Sequence, residues 1–131
     1  NSDFQLAEQV DSSGVKIAAP EKAGYELYLS HALKNASLVR TKSFTSSLQL
    51  FNQDQVDAVA GLKPNLIESM HQLPTGKLLQ GKFMTVNHGF SVALGRVDAA
   101  AYLANFVKDL IESGLVGRSI TKHQIKGLKA V

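Results

Sequence analysis

The chain of 131 residues contains no cysteine. This absence excludes disulfide frameworks, thiolate zinc sites and thiol nucleophiles. Long apolar runs are also missing, because the longest falls far short of the roughly 20 apolar residues that a membrane-spanning helix needs. No stretch combines the charged start, apolar middle and small-residue cleavage site of a signal peptide. We therefore expect no membrane insertion.

Sequence patterns for catalysis and metal binding are also missing. The four histidines are far apart, and none has a partner at the spacing of a metal site; they are His31, His71, His88 and His123. The chain lacks G-x-S-x-G, the P-loop pattern and G-x-G-x-x-G, and no pattern pairs two carboxylates for acid–base work. We expect no catalytic residue, no metal site and no cofactor, and hence no enzyme.

The residues that are present are typical of a globular protein. Apolar residues make up 44% of the chain and charged residues 19%, and the length is enough for one domain with one hydrophobic core. The formal net charge is +3, and the 14 basic residues are spread along the chain. No basic stripe alternates with aromatic residues. We therefore expect a solvated surface and no nucleic-acid partner.

Apolar periodicity predicts strands that alternate with helices. The predicted strands are 14–20, 36–41, a central strand at 55–62, and one or two more within 77–95. The helices are marked by periodic apolar faces and by start and stop signals. They are predicted at 23–35, after an N-cap at Ser43, from a first turn with Pro64, from an N-cap at Asp98 to a stop at Gly114, and over part of 115–131.

This alternation predicts an α/β fold with three layers, α/β/α, around an open and mainly parallel sheet. We expect a single domain over residues 1–131. Its parts would be a lead-in or linking segment at 1–13, the sheet and its helices at 14–97, and C-terminal helices at 98–131.

The link between the first strand and the first helix is a candidate binding site. In open parallel sheets, ligands bind beyond the carboxyl ends of the strands. The N–H groups of Ala23, Gly24 and Tyr25 would be unpaired at the helix start and could hold an anion. Simpler roles stay open, because Glu21 can favour the helix dipole and Tyr25 can be a core residue.

Four segments, taken in order, give the chain a resemblance to a known family. They are GVKIAAPEKAGYELYL, SLQLFNQDQVDAVAGLKPNL, LPTGKLL and AAYLANFVKDLIESGLVGRSITKH. The chain resembles the second lobe and the C-terminal helices of a type 2 periplasmic substrate-binding protein, a solute receptor of ABC importers for amino acids and similar polar solutes. The resemblance covers nearly the whole chain from Gly14. It implies one lobe of that fold and an exported, periplasmic protein.

The resemblance also implies a ligand site. In that family, the helix start after the first strand of the second lobe holds the carboxylate of the solute. The corresponding residues here are Glu21, Lys22, Ala23, Gly24 and Tyr25. The place of an Asp that often pairs with the ammonium of the solute is held by Leu62, followed by Lys63. A buried ammonium needs an anion, whereas Lys63 with Lys22 suits an anionic solute. Lys63 can equally be a solvated lysine.

Three functions stay open at this point. The first is the binding of a small polar or anionic solute, as a solute-binding module of ABC-transporter type. The second is a ligand-free structural or regulatory module. The third is an enzyme, since some members of the superfamily are dehydratases of small carboxylic acids.

The last long helix has an apolar face from Tyr102 to Ile111 that must be buried against another surface. Exchange of this helix between two copies would bury it. We therefore expect a homodimer through the C-terminal helix.

Overall fold

Three short parallel strands form a sheet in the computed structural model, which describes residues 3–130. The strands are β1 (Lys16–Pro20), β2 (Ser37–Thr41) and β3 (Ala58–Val59), in the order β2-β1-β3. Both neighbours pair with β1 in parallel, so β1 is the central strand. The prediction of a central third strand was wrong, because β3 pairs through two residues with β1 and with no other strand of the described residues.

The chain divides into two compact units, Asn1–Val86 and Asn87–Val131. The first unit contains the sheet, three α-helices and two 3₁₀ segments. The α-helices are α1 (Gly24–Ala32), α2 (Phe44–Asn52) and α3 (Lys63–Ser69), and the 3₁₀ segments are Ala7–Val10 and Met70–Gln72. The second unit contains α4 (Val97–Glu112) and α5 (Leu115–Lys122). The single domain over 1–131 stays a prediction.

The connections between the strands place helices on both faces of the sheet. α1 connects β1 to β2, and α2 then leads from β2 across β1 to β3 on the other side. Because β-α-β connections between parallel strands are right-handed, two connections that run in opposite directions put their helices on opposite faces. The predicted α/β fold with an open, parallel sheet is confirmed, and the sheet is small, with three strands.

Local signals explain where the helices begin and end. α2 begins after Ser43, whose hydroxyl accepts the N–H of Ser46 at 3.1 Å, and the predicted N-cap is confirmed. Pro64 lies in the first turn of α3, as predicted, where its missing N–H costs little. α1 ends at Ala32, before the predicted limit at residue 35, because Leu33 has an extended backbone with φ −66° and ψ 135°.

The main core cluster of the first unit lies between α1 and the sheet. Ile17 and Ala19 share one face of β1, and Tyr25 and Leu29 of α1 belong to the same buried cluster. The cluster is completed by Val10, Val15 and Ala60. Apolar packing therefore fixes β1, which precedes the candidate binding loop, against α1, which follows it.

The segment 77–95 contains no strand, and the prediction of one or two strands there was wrong. Within this segment the described backbone forms one isolated bridge, between Gln80 and Leu6. Gly81 follows with a φ of 86°, a left-handed conformation that breaks an extended run. Three side chains still pack against the core cluster, namely Leu79, Phe83 and Met84. Their apolar character is therefore used for packing and not for strand pairing.

In the second unit, α4 and α5 form a helix pair separated by Gly114. Gly114 has a φ of 69°, so it ends α4 in the left-handed conformation, as the predicted stop requires. The N-cap of α4 is Arg96 and not Asp98 as predicted. Asp98 lies in the first turn, where its charge favours the helix dipole.

None of the residues 87–130 is buried. No helix of residues 3–130 is long and apolar enough to cross a membrane.

One carboxylate ties the start of the first unit to the end of α1. Asp11 accepts hydrogen bonds from the N–H groups of Lys34, Asn35 and Ala36, at 2.8 to 3.1 Å. The backbone N–H groups of Ala36, Asn35 and Lys34 stabilise the charged form and lower the pKa of Asp11 below its ordinary value of 3.8. Asp11 thus satisfies backbone donors of the loop that leads from α1 to β2.

We expect this carboxylate to make stability depend on pH. A folded pKa below the unfolded value means that the stabilisation is complete above about pH 4 and is lost as the pH falls through the folded pKa. The free energy of unfolding of the Asp11→Asn variant, measured by urea denaturation, should be lower than that of the wild type at pH 7. The difference should shrink between pH 4 and pH 2. The exposed Asp3→Asn is the matched control, and an equal loss in that variant would contradict the role of Asp11.

Candidate functional site

The three loops that follow the strands meet at one edge of the sheet. Because the strands are parallel, their carboxyl ends lie at the same edge, and neighbouring strands are about 4.8 Å apart. The loops are 21–23 after β1, 42–43 after β2 and 60–62 after β3. The N–H of Glu21 donates to the carbonyl of Thr41 at 2.9 Å and joins the first two loops. We call these loops, with the first residues of α1 and α3, the carboxyl edge.

The loop 21–23 has a backbone shaped by two local bonds. Lys22 has a φ of 64°, a left-handed conformation that is uncommon for a residue with a side chain. Its N–H donates to Oε2 of Glu26 at 3.1 Å. Ala23 is the N-cap of α1, and its N–H donates to the carbonyl of Pro20 at 3.4 Å. The tight turn between β1 and α1 is therefore held by backbone bonds and by one carboxylate of the helix.

The helix start of α1 keeps part of the predicted set of free donors. Ala23 uses its N–H within the turn, but the N–H groups of Gly24 and Tyr25 find no acceptor among residues 3–130. Such groups at a helix start favour anions. Gly24 is exposed, and a Cβ on it would have no heavy atom within 4 Å. The space beside the Cα of Gly24 is therefore open.

Two predicted site residues direct their side chains into the core. Tyr25 is 8% exposed and belongs to the core cluster, and burial raises the pKa of its phenol. Leu62 packs against the same cluster as the N-cap residue of α3. At the edge, Tyr25 therefore contributes its backbone N–H and not its phenol, and Leu62 contributes no polar side chain.

Exposed cations lie in or next to all three loops. Lys22 is in the first loop, Lys42 is in the second, and Lys63, directly after the third, is the first residue of α3. None of these three lysines forms an ion pair within residues 3–130. Glu21 is the exposed carboxylate of the same loops. The edge therefore carries an excess of positive charge.

The sequence analysis missed Glu26, Arg40 and Lys42. Glu26 is a carboxylate that is 2% exposed, and its Oε1 accepts the Nε–H of Arg40 at 2.8 Å. A local signal for Glu26 exists, because a Glu at the third helical position often binds backbone donors before the helix. The partnership with Arg40 has no local signal, since Arg40 lies on β2. Lys42 lies at the carboxyl edge because it follows β2, which is the neighbour of β1 in the sheet, and no local pattern predicts that strand order.

The described residues contain no group of three or more His, Asp or Glu side chains that could hold a metal ion. The carboxyl edge instead offers ammonium groups and backbone N–H donors, which are the groups that bind carboxylates and phosphates. Fold and edge together define a small, open α/β sheet with a basic carboxyl edge.

The chain matches no protein-family model, no curated protein and no solved structure. The resemblance to a periplasmic binding protein lobe stays a prediction.

Two glycines of the edge differ in the space around them, and we expect opposite effects of Ala. A Cβ on Gly61 would lie 2.7 Å from Cε2 of Phe44 and 3.3 Å from Cγ of Leu66. Gly61→Ala should therefore lower the free energy of unfolding by about 1–3 kcal/mol. Gly24→Ala, in open space at a helix start, should raise it by about 0.4–1 kcal/mol. Urea denaturation measures both, and equal effects would contradict the close packing at Gly61.

Proposed function

We propose that this chain binds a small anionic solute, a carboxylate-like molecule in preference to a zwitterionic amino acid, at the carboxyl edge of the sheet. The observation that carries the proposal is the placement of one exposed lysine in or next to each of three adjacent loops: Lys22, Lys42 and Lys63. The role would be that of a solute-binding module of ABC-transporter type, exported to the periplasm. The proposal is one of binding, without a chemical step.

Electrostatics favours an anion over a neutral or cationic solute. The three lysines approach the edge from three loops of one sheet, so their fields add over the space between them. The N–H groups of Gly24 and Tyr25 supply directional donors at the positive end of the α1 dipole. If the resemblance to a periplasmic binding protein lobe holds, Leu62 and Lys63 occupy the place where an ammonium of the solute would need an anionic partner. A solute with a net negative charge therefore suits this edge better than a zwitterion.

A thermal-shift screen tests the proposal. Ligands that bind only the native state raise the melting temperature, and at about 100 times Kd they contribute about 2.7 kcal/mol of stability. We expect a rise with dicarboxylates or phosphate, a smaller rise with zwitterionic amino acids, and weaker binding at high ionic strength. No rise with any anion at millimolar concentration would contradict the proposal.

Single lysine variants locate the site. Lys42→Ala and Lys63→Ala should each weaken anion binding by about 1.4- to 5-fold, since exposed ion pairs contribute about 0.2–1 kcal/mol. Lys22→Gly removes a charge and relieves the left-handed backbone, so it should bind more weakly while its melting temperature holds or rises. Lys16→Ala is the control, because Lys16 is exposed at the opposite end of β1. An equal loss of affinity in Lys16→Ala would place binding elsewhere.

The second unit supports a further candidate function, self-association through the C-terminal helices. Large apolar side chains on α4 stay exposed, among them Tyr102 at 73%, Phe106 at 43% and Ile111 at 44%. Between α4 and α5 lies an apolar groove of about 300 Å³, lined by residues such as Leu110, Val116 and Ile120. Exposed apolar surface of this extent is typical of an interface. We propose a second copy of the chain as the partner.

Charge complementarity favours a second copy as the partner. α4 carries three carboxylates, Asp98, Asp109 and Glu112, and a single cation, Lys108. The residues from 113 to 131 carry four cations and no acidic side chain; the cations are Arg118, Lys122, Lys126 and Lys129. In an exchange of helices between two copies, the acidic α4 of each copy can face the basic segment of the other.

Size-exclusion chromatography with light scattering tests this candidate. We expect a dimer at micromolar concentration that Phe106→Glu converts to a monomer, because the new charge lies on the apolar face. The neighbouring Asn105 is also exposed, and Asn105→Glu should leave the dimer intact. A wild type that is monomeric at micromolar concentration would contradict the dimer without bearing on solute binding.

A further inference from the structure

The ion pair between Arg40 and Glu26 uses only part of the guanidinium. The Nε–H of Arg40 donates to Oε1 of Glu26 at 2.8 Å, and Oε2 of Glu26 accepts the N–H of Lys22 at 3.1 Å. The two Nη groups of Arg40 make no hydrogen bond to residues 3–130. Each carboxylate oxygen of Glu26 thus accepts one hydrogen bond. The N–H donors of the two Nη groups of Arg40 remain available to a ligand.

Burial on the two sides of this pair is unequal. The side chain of Glu26 is 3% exposed, whereas that of Arg40 is 51% exposed. About half of the Arg40 side chain therefore stays accessible to solvent while Nε is paired with Glu26. A buried carboxylate needs its partner close by, so Glu26 restricts where the guanidinium can lie. A guanidinium that is fixed at Nε presents two parallel Nη donors in a geometry that matches a carboxylate or a phosphate.

Arg40 also lies beside the proposed solute site. It is the next-to-last residue of β2 and is in register with Ala19 of the central strand. Lys42 follows two residues later, and Glu26 links Arg40 directly to the backbone of Lys22. Because Glu26 balances the charge of Arg40, the attraction of an anion to this place comes from the lysines. Arg40 then adds directional donors.

We propose that Arg40 is a specificity-determining residue that binds an oxyanion group of the solute through its two Nη groups, and that Glu26 is the positioning residue that orients it. This inference rests on the proposed anion binding at the carboxyl edge. It names the ligand class more narrowly, as solutes with a planar or tetrahedral oxyanion, and it predicts discrimination against spherical anions such as chloride.

Titration calorimetry with acetate, succinate, inorganic phosphate and chloride tests this inference. The wild type should bind the oxyanions in preference to chloride. Arg40→Lys keeps the charge beside Glu26 but loses the paired donors, so the affinity for oxyanions should fall by about tenfold, with chloride binding unchanged. Glu26→Gln should reduce the same preference, because Gln has one acceptor oxygen for the two donors that Glu26 holds and so fixes Arg40 less well. Lys16→Ala should change neither quantity.

A spectroscopic measurement separates binding from a merely structural role. The chain has three arginines, so the side-chain N–H signals of Arg40 can be assigned from the Arg40→Lys spectrum. Phosphate should sharpen and shift the Nη–H signals of Arg40 and leave its Nε–H signal nearly in place. Oxyanion binding with an unchanged preference in Arg40→Lys, or with no change at Nη, would overturn the inference while the proposed function stands. If the wild type binds no oxyanion, both the inference on Arg40 and the proposed anion binding are overturned. The melting temperature of each variant shows whether that variant is folded.

Discussion

The pairing of β1 with a parallel strand on each side is the constraint on which the candidate site depends. The register sets Pro20 beside Thr41 at the end of the β1–β2 ladder, and the loop bond from Glu21 to Thr41 follows directly from it. Loops that are distant in sequence thereby become neighbours at one edge. Ile17 and Ala19 belong to the core cluster on one face of β1, and a shift by one residue would turn them to the other face.

At that edge, a single buried carboxylate has two structural tasks. Glu26 closes the turn that precedes its own helix and holds a guanidinium from the neighbouring strand. A buried charge is tolerated only where it is paired and hydrogen-bonded, and the arrangement meets this condition with one donor on each oxygen. The lysines of the loops, in contrast, remain exposed and without ion pairs in the described part of the chain. The edge thus combines one neutralised pair with uncompensated positive charge.

The second unit depends on a different physical condition. Its two helices have no buried residue of their own, so apolar side chains such as Phe106 gain little from folding within the unit. Opposite charges are also largely separated along its sequence, with all three carboxylates on α4 and four of the six cations after Glu112. Exposed apolar surface and separated charge both favour contact with a complementary surface, and this conclusion is independent of solute binding at the sheet.

By itself, the sequence determined the elements whose signals are local: β1 and β2, the helix start after Ser43, Pro64 in its first turn and the stop at Gly114. Periodicity and capping suffice for these because each depends on residues within a few positions. Only the tertiary structure decided that β1 is central, that Glu26 meets Arg40, and that the loop with Lys42 lies at the same sheet edge as the loops next to Lys22 and Lys63. The apolar residues of 77–95 also could not be assigned locally, since their pattern is shared by strands and by irregular segments that pack on a core. The physical reason is the same in each case: strand order and burial pair groups that are far apart in the chain, and no local pattern encodes the partner.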